Sequence, residues 1–329
     1  MRAVRIHADG GPEVLVQEDV PDPVAGPGEV LVRLRASALN HLDVWIRKGL
    51  PSVPKPRILG ADGAGVVEAL GSGVNGFEPG QPVVINPGVE APDGSIHVIG
   101  EHGDGTNAEL IAVPATNVYP IPDGLSFEEA AAFPLVFETA YRMLVTRAHL
   151  QPGEWVLLWG IGSGVSTAGL AIAKALGART IVTSSHDEKL ARARELGADV
   201  AVAGADVKAA VKEATGGRGA DVVVDHVGEA TWRTSLDVAA RDGRIAVCGA
   251  TSGPNPPAAL HRIWWKQLTI LGSTMGRKAD FEGAYELIAT GRARPVVDEV
   301  LPLEEIRSAH ERLEAGRQLG KIVLTLPSG

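Results

Sequence analysis

The sequence contains a single cysteine, Cys248, in 329 residues. One cysteine cannot form an intrachain disulfide, so no such cross-link stabilises the fold. This composition is typical of a reducing compartment, and we expect a cytoplasmic protein.

Long apolar runs and clustered charge are also missing. The N-terminus has no apolar signal core, and no stretch reaches the roughly 18 apolar residues of a membrane span. The net charge of −9 is spread through the chain without long runs, which disfavours a nucleic-acid partner. The sequence therefore predicts neither a membrane nor a nucleic-acid interaction.

What is present is a nucleotide-binding pattern over residues 155–198. An apolar run of strand length leads into Gly160, Gly162 and Gly164, and a helix, a second strand and a second helix follow. Residues 185–188 have the spacing of a capping box at the start of that second helix. Bare backbone at such a turn lets N–H groups approach a diphosphate. We expect cofactor contacts from Gly162, Ser163, Gly164 and Val165.

The glycine pattern is incomplete, because no register of the turn spells GxGxxG. On the turn alone, a glycine-rich connection without a cofactor remains the alternative. Ser166 stands near the position of the third glycine, and its side chain would either narrow the helix–strand contact or bind phosphate.

The rest of the chain predicts an α/β protein in which a doubly wound parallel sheet is inserted into a β-rich domain. We expect the β-rich domain over residues 1–123 and 276–329, and the parallel sheet over residues 124–275. Residues 86–105 read as a polar loop, and Ser126 and Glu129 predict a capping box. The active site is expected beside the carboxyl ends of the parallel strands.

At this level the chain resembles the medium-chain dehydrogenases/reductases over nearly its whole length. The similar stretches are residues 26–49, 59–74, the nucleotide unit and residues 319–324. The resemblance implies a GroES-like domain enclosing a Rossmann domain, a nicotinamide cofactor, and hydride transfer involving a carbonyl or a conjugated alkene. Residues 38–50 look most like the zinc-independent quinone oxidoreductase branch. Residues 59–65, 85–88 and 100–110 look more like zinc-type alcohol dehydrogenases.

The zinc positions of such relatives carry other residues here. Asn40, Ala61 and Leu135 stand where the resemblance places zinc ligands, and only the neighbouring Asp62 could coordinate a metal. Residues 89–100 lack the four cysteines of a structural zinc lobe. We expect no zinc. The alternative is a site assembled from other side chains, namely His41, Asp62, His97, Glu101 and His102.

Four residues are candidates for the chemistry. Asn40 matches the asparagine of the quinone oxidoreductase branch, and its amide N–H can donate to a substrate oxygen; its alternative is a loop-stabilising role. Trp45 stands where the quinone oxidoreductase branch often has a tyrosine, so the resemblance implies an apolar wall there in place of a phenolic proton donor. Asp62, expected to be partly solvated, would orient a neighbour. Thr139 matches a position beside the nicotinamide, with helix packing as its alternative.

The cofactor is expected to be NADPH. NAD-specific proteins bind the ribose 2′-hydroxyl with a carboxylate at the end of the second strand, and residues 183–186 place no carboxylate there. Ser184 removes the repulsion against a 2′-phosphate, and three residues can donate to one, namely Ser185, His186 and Lys189. Asp187 and Glu188 weaken this reasoning unless they serve as first-turn helix acids. Further cofactor contacts are expected from Val227, Gly249, Ser273, Thr274 and Lys321.

We therefore expect an NADPH-dependent reductase of a quinone, enone or aldehyde that works without catalytic zinc. The alternatives are an alcohol dehydrogenase with atypical metal ligands and a non-catalytic nucleotide-binding protein. Residues 268–271 read as an apolar edge strand next to Ile263, Trp264 and Trp265, which favours a homodimer paired through that edge. Alternatively, a loop covers the edge and the tryptophans fill the core.

Overall fold

The computed structural model describes residues 1–327. The chain forms two compact units, one made of Met1–Leu135 with the segment from Pro295 onward and the other of Val136–Arg294. The unit boundaries therefore lie later in the chain than residues 123 and 275.

The first unit is β-rich, as the sequence predicts. Its first strands are β1 (Arg2–Ile6), β2 (Leu15–Asp19), β3 (Glu29–Ala38), β4 (Arg57–Ile58), β5 (Asp62–Leu70) and β6 (Pro82–Ile85). They are followed by β7 (Gly88–Glu90), β8 (Ile96–Val98), β9 (Leu110–Pro114) and β10 (Val118–Pro120). Residues 86–105 were expected to be a loop, but β7 and β8 pair as a short antiparallel hairpin. The expectation was wrong because three-residue strands are too short to show an alternating pattern.

Strand β3 is the centre of this unit. Its side chains alternate between buried and half-buried, and Val30, Val32 and Leu34 lie in the hydrophobic core. It pairs with β5 and β9, and also with a strand from the end of the chain. Segments far apart in sequence therefore meet along one strand.

Two helices and the closing segment complete the first unit. Helix α1 (His41–Arg47) follows β3 directly, and α2 (Phe127–Ala131) begins at the predicted capping box, with Glu129 N donating to Ser126 Oγ over 3.2 Å. The chain passes into the second unit within α3 (Pro134–Tyr141), which continues as a π-helix, Arg142–Arg147.

The second unit is a parallel sheet flanked by helices. Its strands are β11 (Trp155–Leu158), β12 (Arg179–Ser184), β13 (Val200–Ala203), β14 (Ala220–Asp225), β15 (Ala239–Val247) and β16 (Thr269–Gly272). Their order is β13-β12-β11-β14-β15-β16, with every pair parallel. This is the order of a Rossmann dinucleotide-binding sheet, so the predicted fold class is confirmed.

The helices of this unit are α4 (Gly164–Ala175), α5 (Asp187–Glu195), α6 (Val207–Ala214), α7 (Glu229–Val238), α8 (Leu260–Lys266) and α9 (Lys278–Ala289). Gly177 follows α4 with a φ of +76° and ends it as expected. The capping box predicted for α5 is wrong, because the residue before the helix is His186, which makes no side-chain cap.

The chain ends in the first unit with β17 (Val297–Pro302), α10 (Ile306–Glu314) and β18 (Lys321–Thr325). Strand β18 pairs with β17 in parallel and with β3 in antiparallel orientation. Among residues 1–327, no helix has the length and apolar character needed to cross a membrane.

Candidate functional site

Three predicted site residues meet in the first unit. Asn40 follows β3, Asp62 opens β5 and Lys321 opens β18. The sheet register brings them together, because Ala38 of β3 is paired with Asp62 on one side and with Val323 on the other.

Their side chains form a closed triangle of hydrogen bonds. Lys321 Nζ donates to Asn40 Oδ1 over 2.6 Å and to Asp62 Oδ2 over 2.8 Å. Asn40 Nδ2 donates to the same Asp62 oxygen over 2.9 Å. Asp62 is 0% exposed, and the other two residues are also buried. The expectation of a partly solvated Asp62 is therefore wrong, since its charge is neutralised by a buried ammonium instead of by water.

Backbone donors complete the cluster. Asp62 Oδ1 accepts from Leu135 N over 2.8 Å, and Asp43 in α1 accepts from Asn40 N over 2.7 Å and from Gly60 N over 2.9 Å. Burial raises the pKa of Asp43 to about 6, although the two backbone donors and the Lys321 charge oppose the shift. The cluster is thus held rigidly at the ends of β3 and β5.

This arrangement does not suit a zinc ion. The two side-chain oxygens that could ligate a metal both accept hydrogen bonds from the Lys321 ammonium, and Ala61 supplies only a methyl group. A divalent cation here would have to displace a positive charge. Within residues 1–327, no three side chains of the His, Cys, Asp or Glu type are placed to hold a metal. His97 and His102 stack instead, with ring centroids 4.7 Å apart.

The other two candidates for the chemistry lie outside the triangle. Trp45 is half-buried in α1, and its ring lies 6.3 Å from the ring of His41. Thr139 is buried in α3, in the second unit.

The nucleotide turn lies between β11 and α4 in the second unit. Gly160 adopts a φ of +60°, and Ser163 forms the N-cap of α4, accepting from Ser166 N over 3.1 Å. Ser166 is fully buried and donates to Trp159 O over 2.6 Å. A hydroxyl bond therefore ties helix to strand near the position where GxGxxG proteins have their third glycine.

The residues expected around the ribose 2′-position lie at the end of β12. Ser184 Oγ accepts from His186 N over 3.0 Å, and Ser185 is exposed. Asp187 and Glu188 occupy the first turn of α5, where the helix dipole favours carboxylates. Lys189 is largely buried, with 6% of its surface exposed. No carboxylate is part of the β12 end itself.

The remaining predicted contacts follow the later strands. Val227 comes after β14, Gly249 after β15, and Ser273 and Thr274 after β16. Ser273 is buried, and its hydroxyl has no hydrogen-bond partner among the described residues. A buried hydroxyl without a partner costs free energy unless a ligand or water satisfies it. This orphan at the carboxyl end of the sheet fits a dinucleotide site.

Sequence reasoning missed two features of the site. Lys321 was expected only as a cofactor contact, and its bonds to Asn40 and Asp62 were not foreseen because they depend on strand contacts between distant segments. His226, directly after β14, contacts the nucleotide turn through Ser163 Oγ and Ser166 Oγ at 3.0 and 3.1 Å. The available signal was a polar residue directly after a buried strand, at the sheet edge that carries the glycine turn.

The second unit has a Rossmann sheet with a capped glycine turn, and the first unit carries a buried polar cluster. Together these features are typical of a nucleotide-dependent oxidoreductase. Two protein-family models match the sequence. The family described as an alcohol dehydrogenase GroES-like domain matches residues 26–123, and the family described as a zinc-binding dehydrogenase matches residues 164–290. The chain belongs to the medium-chain dehydrogenase/reductase superfamily, whose members use NAD(P).

Similar proteins carry different names. A zinc-type alcohol dehydrogenase-like protein of Schizosaccharomyces pombe is 36% identical, covering 94% of this chain and 93% of its own. A quinone oxidoreductase of Pseudomonas aeruginosa is 35% identical, covering 98% and 99%. A crystal structure of an NAD-dependent alcohol dehydrogenase is 46% identical, with a TM-score of 0.96 and coverage of 99% and 100%.

Proposed function

We propose that the protein is an NADPH-dependent reductase of a quinone, enone or aldehyde that works without catalytic zinc. The observation that carries this proposal is the buried triangle of Asn40, Asp62 and Lys321. It supplies a fixed positive charge where zinc-dependent members of the superfamily would need a metal.

The triangle also prepares a hydrogen-bond donor. Both Asn40 Nδ2 hydrogens are engaged, but the contact to Ala38 O is 3.4 Å long, at the weak limit of a hydrogen bond. If this hydrogen turns to a substrate oxygen, only the weak hydrogen bond to Ala38 O is lost. Lys321 bonds to the amide oxygen of Asn40 and polarises the amide, which strengthens its N–H groups as donors. Asn40 is thereby suited to stabilise negative charge that develops on a substrate oxygen.

Residues of the second unit would hold the cofactor, which supplies the hydride when bound. The glycine turn and Ser163 would bind the diphosphate, and Ser273 would bind through its otherwise unpartnered hydroxyl. Ser184 at the end of β12 leaves room for the 2′-phosphate of NADPH without a competing carboxylate. Thr139 remains a proposed neighbour of the nicotinamide.

The direct test is NADPH oxidation against quinones, enones and aldehydes, with NADH compared at equal concentrations. We expect turnover with at least one electron-poor alkene or quinone and a preference for NADPH. Activity confined to alcohol oxidation and dependent on added zinc would support the alcohol dehydrogenase alternative instead.

We further propose a homodimer joined through β16. This strand is the edge of its sheet, Ile270 on it is 38% exposed, and in the preceding α8 Trp264 and Trp265 are 64% and 70% exposed. The tryptophans therefore do not fill the core, and pairing two copies of the edge would cover this apolar surface.

Sedimentation at micromolar concentration tests the dimer. Ile270→Glu should weaken association, because a charge is placed at the paired edge. Val16→Glu is the matched control, since Val16 is an equally exposed strand residue on a sheet edge of the other unit. A monomeric wild-type protein would contradict the proposal.

A further inference from the structure

His226 lies directly beside the nucleotide turn. It follows β14, the strand next to β11, and a β-carbon on Gly160 would lie 3.5 Å from its Cε1 atom. Its Nε2 atom lies 3.0 Å from Ser163 Oγ, 3.1 Å from Ser166 Oγ and 3.0 Å from Trp159 O. One imidazole nitrogen therefore links the end of β11 with the first turn of α4.

The chemistry of these partners selects one tautomer. The Trp159 carbonyl can only accept a hydrogen bond, so its contact requires a proton on Nε2. Burial lowers the pKa of His226, so the imidazole is neutral at neutral pH. Ser166 directs its own hydroxyl hydrogen to Trp159 O.

This tautomer leaves Ser163 with a hydrogen to donate. Ser163 Oγ accepts from Ser166 N and shares the single Nε2–H of His226 with Trp159 O. A protonated Nε2 has no lone pair, so the Ser163 hydroxyl cannot donate to it. With the opposite tautomer, the Ser163 hydroxyl would instead have to donate to the histidine. The proton on Nε2 thus turns Ser163 into an outward-facing donor at the N-terminus of α4.

The location makes that donor relevant to the cofactor. The strand order reverses between β11 and β14, and a dinucleotide crosses a Rossmann sheet at this switch point, with its diphosphate at the N-terminus of the helix after the first strand. Ser163 is the N-cap of that helix.

We infer that His226 is a positioning residue for dinucleotide binding, which fixes the turn and orients the Ser163 hydroxyl to donate to the cofactor diphosphate. The inference rests on the dinucleotide binding of the proposed function. It does not depend on the substrate, on zinc or on the choice between NADPH and NADH, because both cofactors carry the same diphosphate.

The test is a double-mutant cycle on cofactor affinity, measured by fluorescence titration without substrate. Ser163→Ala and His226→Phe should each raise the Kd about tenfold or more, the effect of losing a hydrogen bond to a charged group. The Kd should rise by the same factor for NADPH and for NADH. The double variant should bind about as weakly as Ser163→Ala alone, since His226 acts through the Ser163 hydroxyl and has no effect once that hydroxyl is gone.

Two further variants separate positioning from a general loss of structure. His226→Gln keeps an N–H donor and should bind the cofactors more tightly than His226→Phe. His149→Asn is the control, because His149 is an exposed histidine of the same unit at a φ of +48°, which asparagine tolerates. It should leave both Kd values unchanged. Thermal melts of each variant without cofactor report on folding.

Multiplicative losses in the double variant would overturn the inference, because the two residues would then act independently. Unchanged affinity in His226→Phe, or a loss confined to one cofactor, would also overturn it. If His226→Phe does not fold, His226→Asn replaces it in the cycle, since its shorter side chain withdraws the donor from Ser163. Loss of the NADPH preference in the wild type would contradict the proposed function and leave this inference intact.

Discussion

Replacing Lys321 with methionine perturbs the buried triangle most directly. The change keeps most of the side-chain volume but removes the ammonium that neutralises Asp62, which is 0% exposed. Asp62 retains only the neutral donors of Asn40 and Leu135. Removing one partner of a buried ion pair typically costs about 3–5 kcal/mol of unfolding free energy, and we expect Lys321→Met to fall in this range.

The matched control is Lys48→Met. Lys48 pairs with Glu314 at 2.5 Å, but its side chain is 49% exposed. Exposed pairs contribute about 0–1 kcal/mol, so this variant should unfold nearly as the wild type does. The comparison isolates the effect of burial on the unfolding free energy, because both changes remove a lysine from an ion pair within the same unit.

Urea denaturation measures the loss of unfolding free energy in each variant. Hydrogen exchange with mass spectrometry shows which of the two units is destabilised. Amides of β5 and β18 should lose protection, while those of the second unit should not. Adding Asp62→Asn to Lys321→Met should recover part of the loss, since the uncompensated charge is then gone. A loss of unfolding free energy in Lys321→Met no larger than that in Lys48→Met would contradict this prediction.

Three further predictions concern catalysis, cofactor choice and pH. Asn40→Ala should lower turnover on the order of 10²-fold with the NADPH Kd nearly unchanged, as checked by steady-state kinetics and titration; unchanged turnover would reduce Asn40 to a structural role. Ser184→Asp should narrow or reverse the ratio of NADPH to NADH affinity, and tighter NADH binding by the wild type would show that the reading of β12 is wrong. Burial and the neighbouring Arg47 charge lower the pKa of His310 to about 3, so His310 favours folding above its unfolded pKa of 6.5, and this contribution is lost as the pH falls toward 3. His310→Gln should flatten the pH dependence of the unfolding free energy, by on the order of 3 kcal/mol between pH 6.5 and about pH 4, and equal slopes in the two proteins would contradict this.

The fold could be predicted from the sequence wherever local patterns are strong. Strand β11 is buried along its whole length and is a continuous apolar run directly before the glycine turn, so a strand was expected there. Helices α1 and α8 were missed. Each has only seven residues, too few for a helical period to stand out.

The candidate site was only partly predictable, for a different physical reason. Asn40 and Asp62 were singled out because of the residue types at two positions, but Lys321 joins them through β18, more than 250 residues along the chain. Such a contact depends on strand register and leaves no periodic signal. The hydrogen bonds of His226 likewise follow from the order of strands in the sheet.

We propose that an internal ammonium, and not a metal, supplies the positive charge beside Asn40. The most direct measurement is elemental analysis of the purified protein together with NADPH oxidation before and after dialysis against a strong chelator. We predict no stoichiometric zinc and unchanged activity. The proposal would be contradicted by one zinc per chain that the chelator removes together with the activity, if adding zinc back restores both.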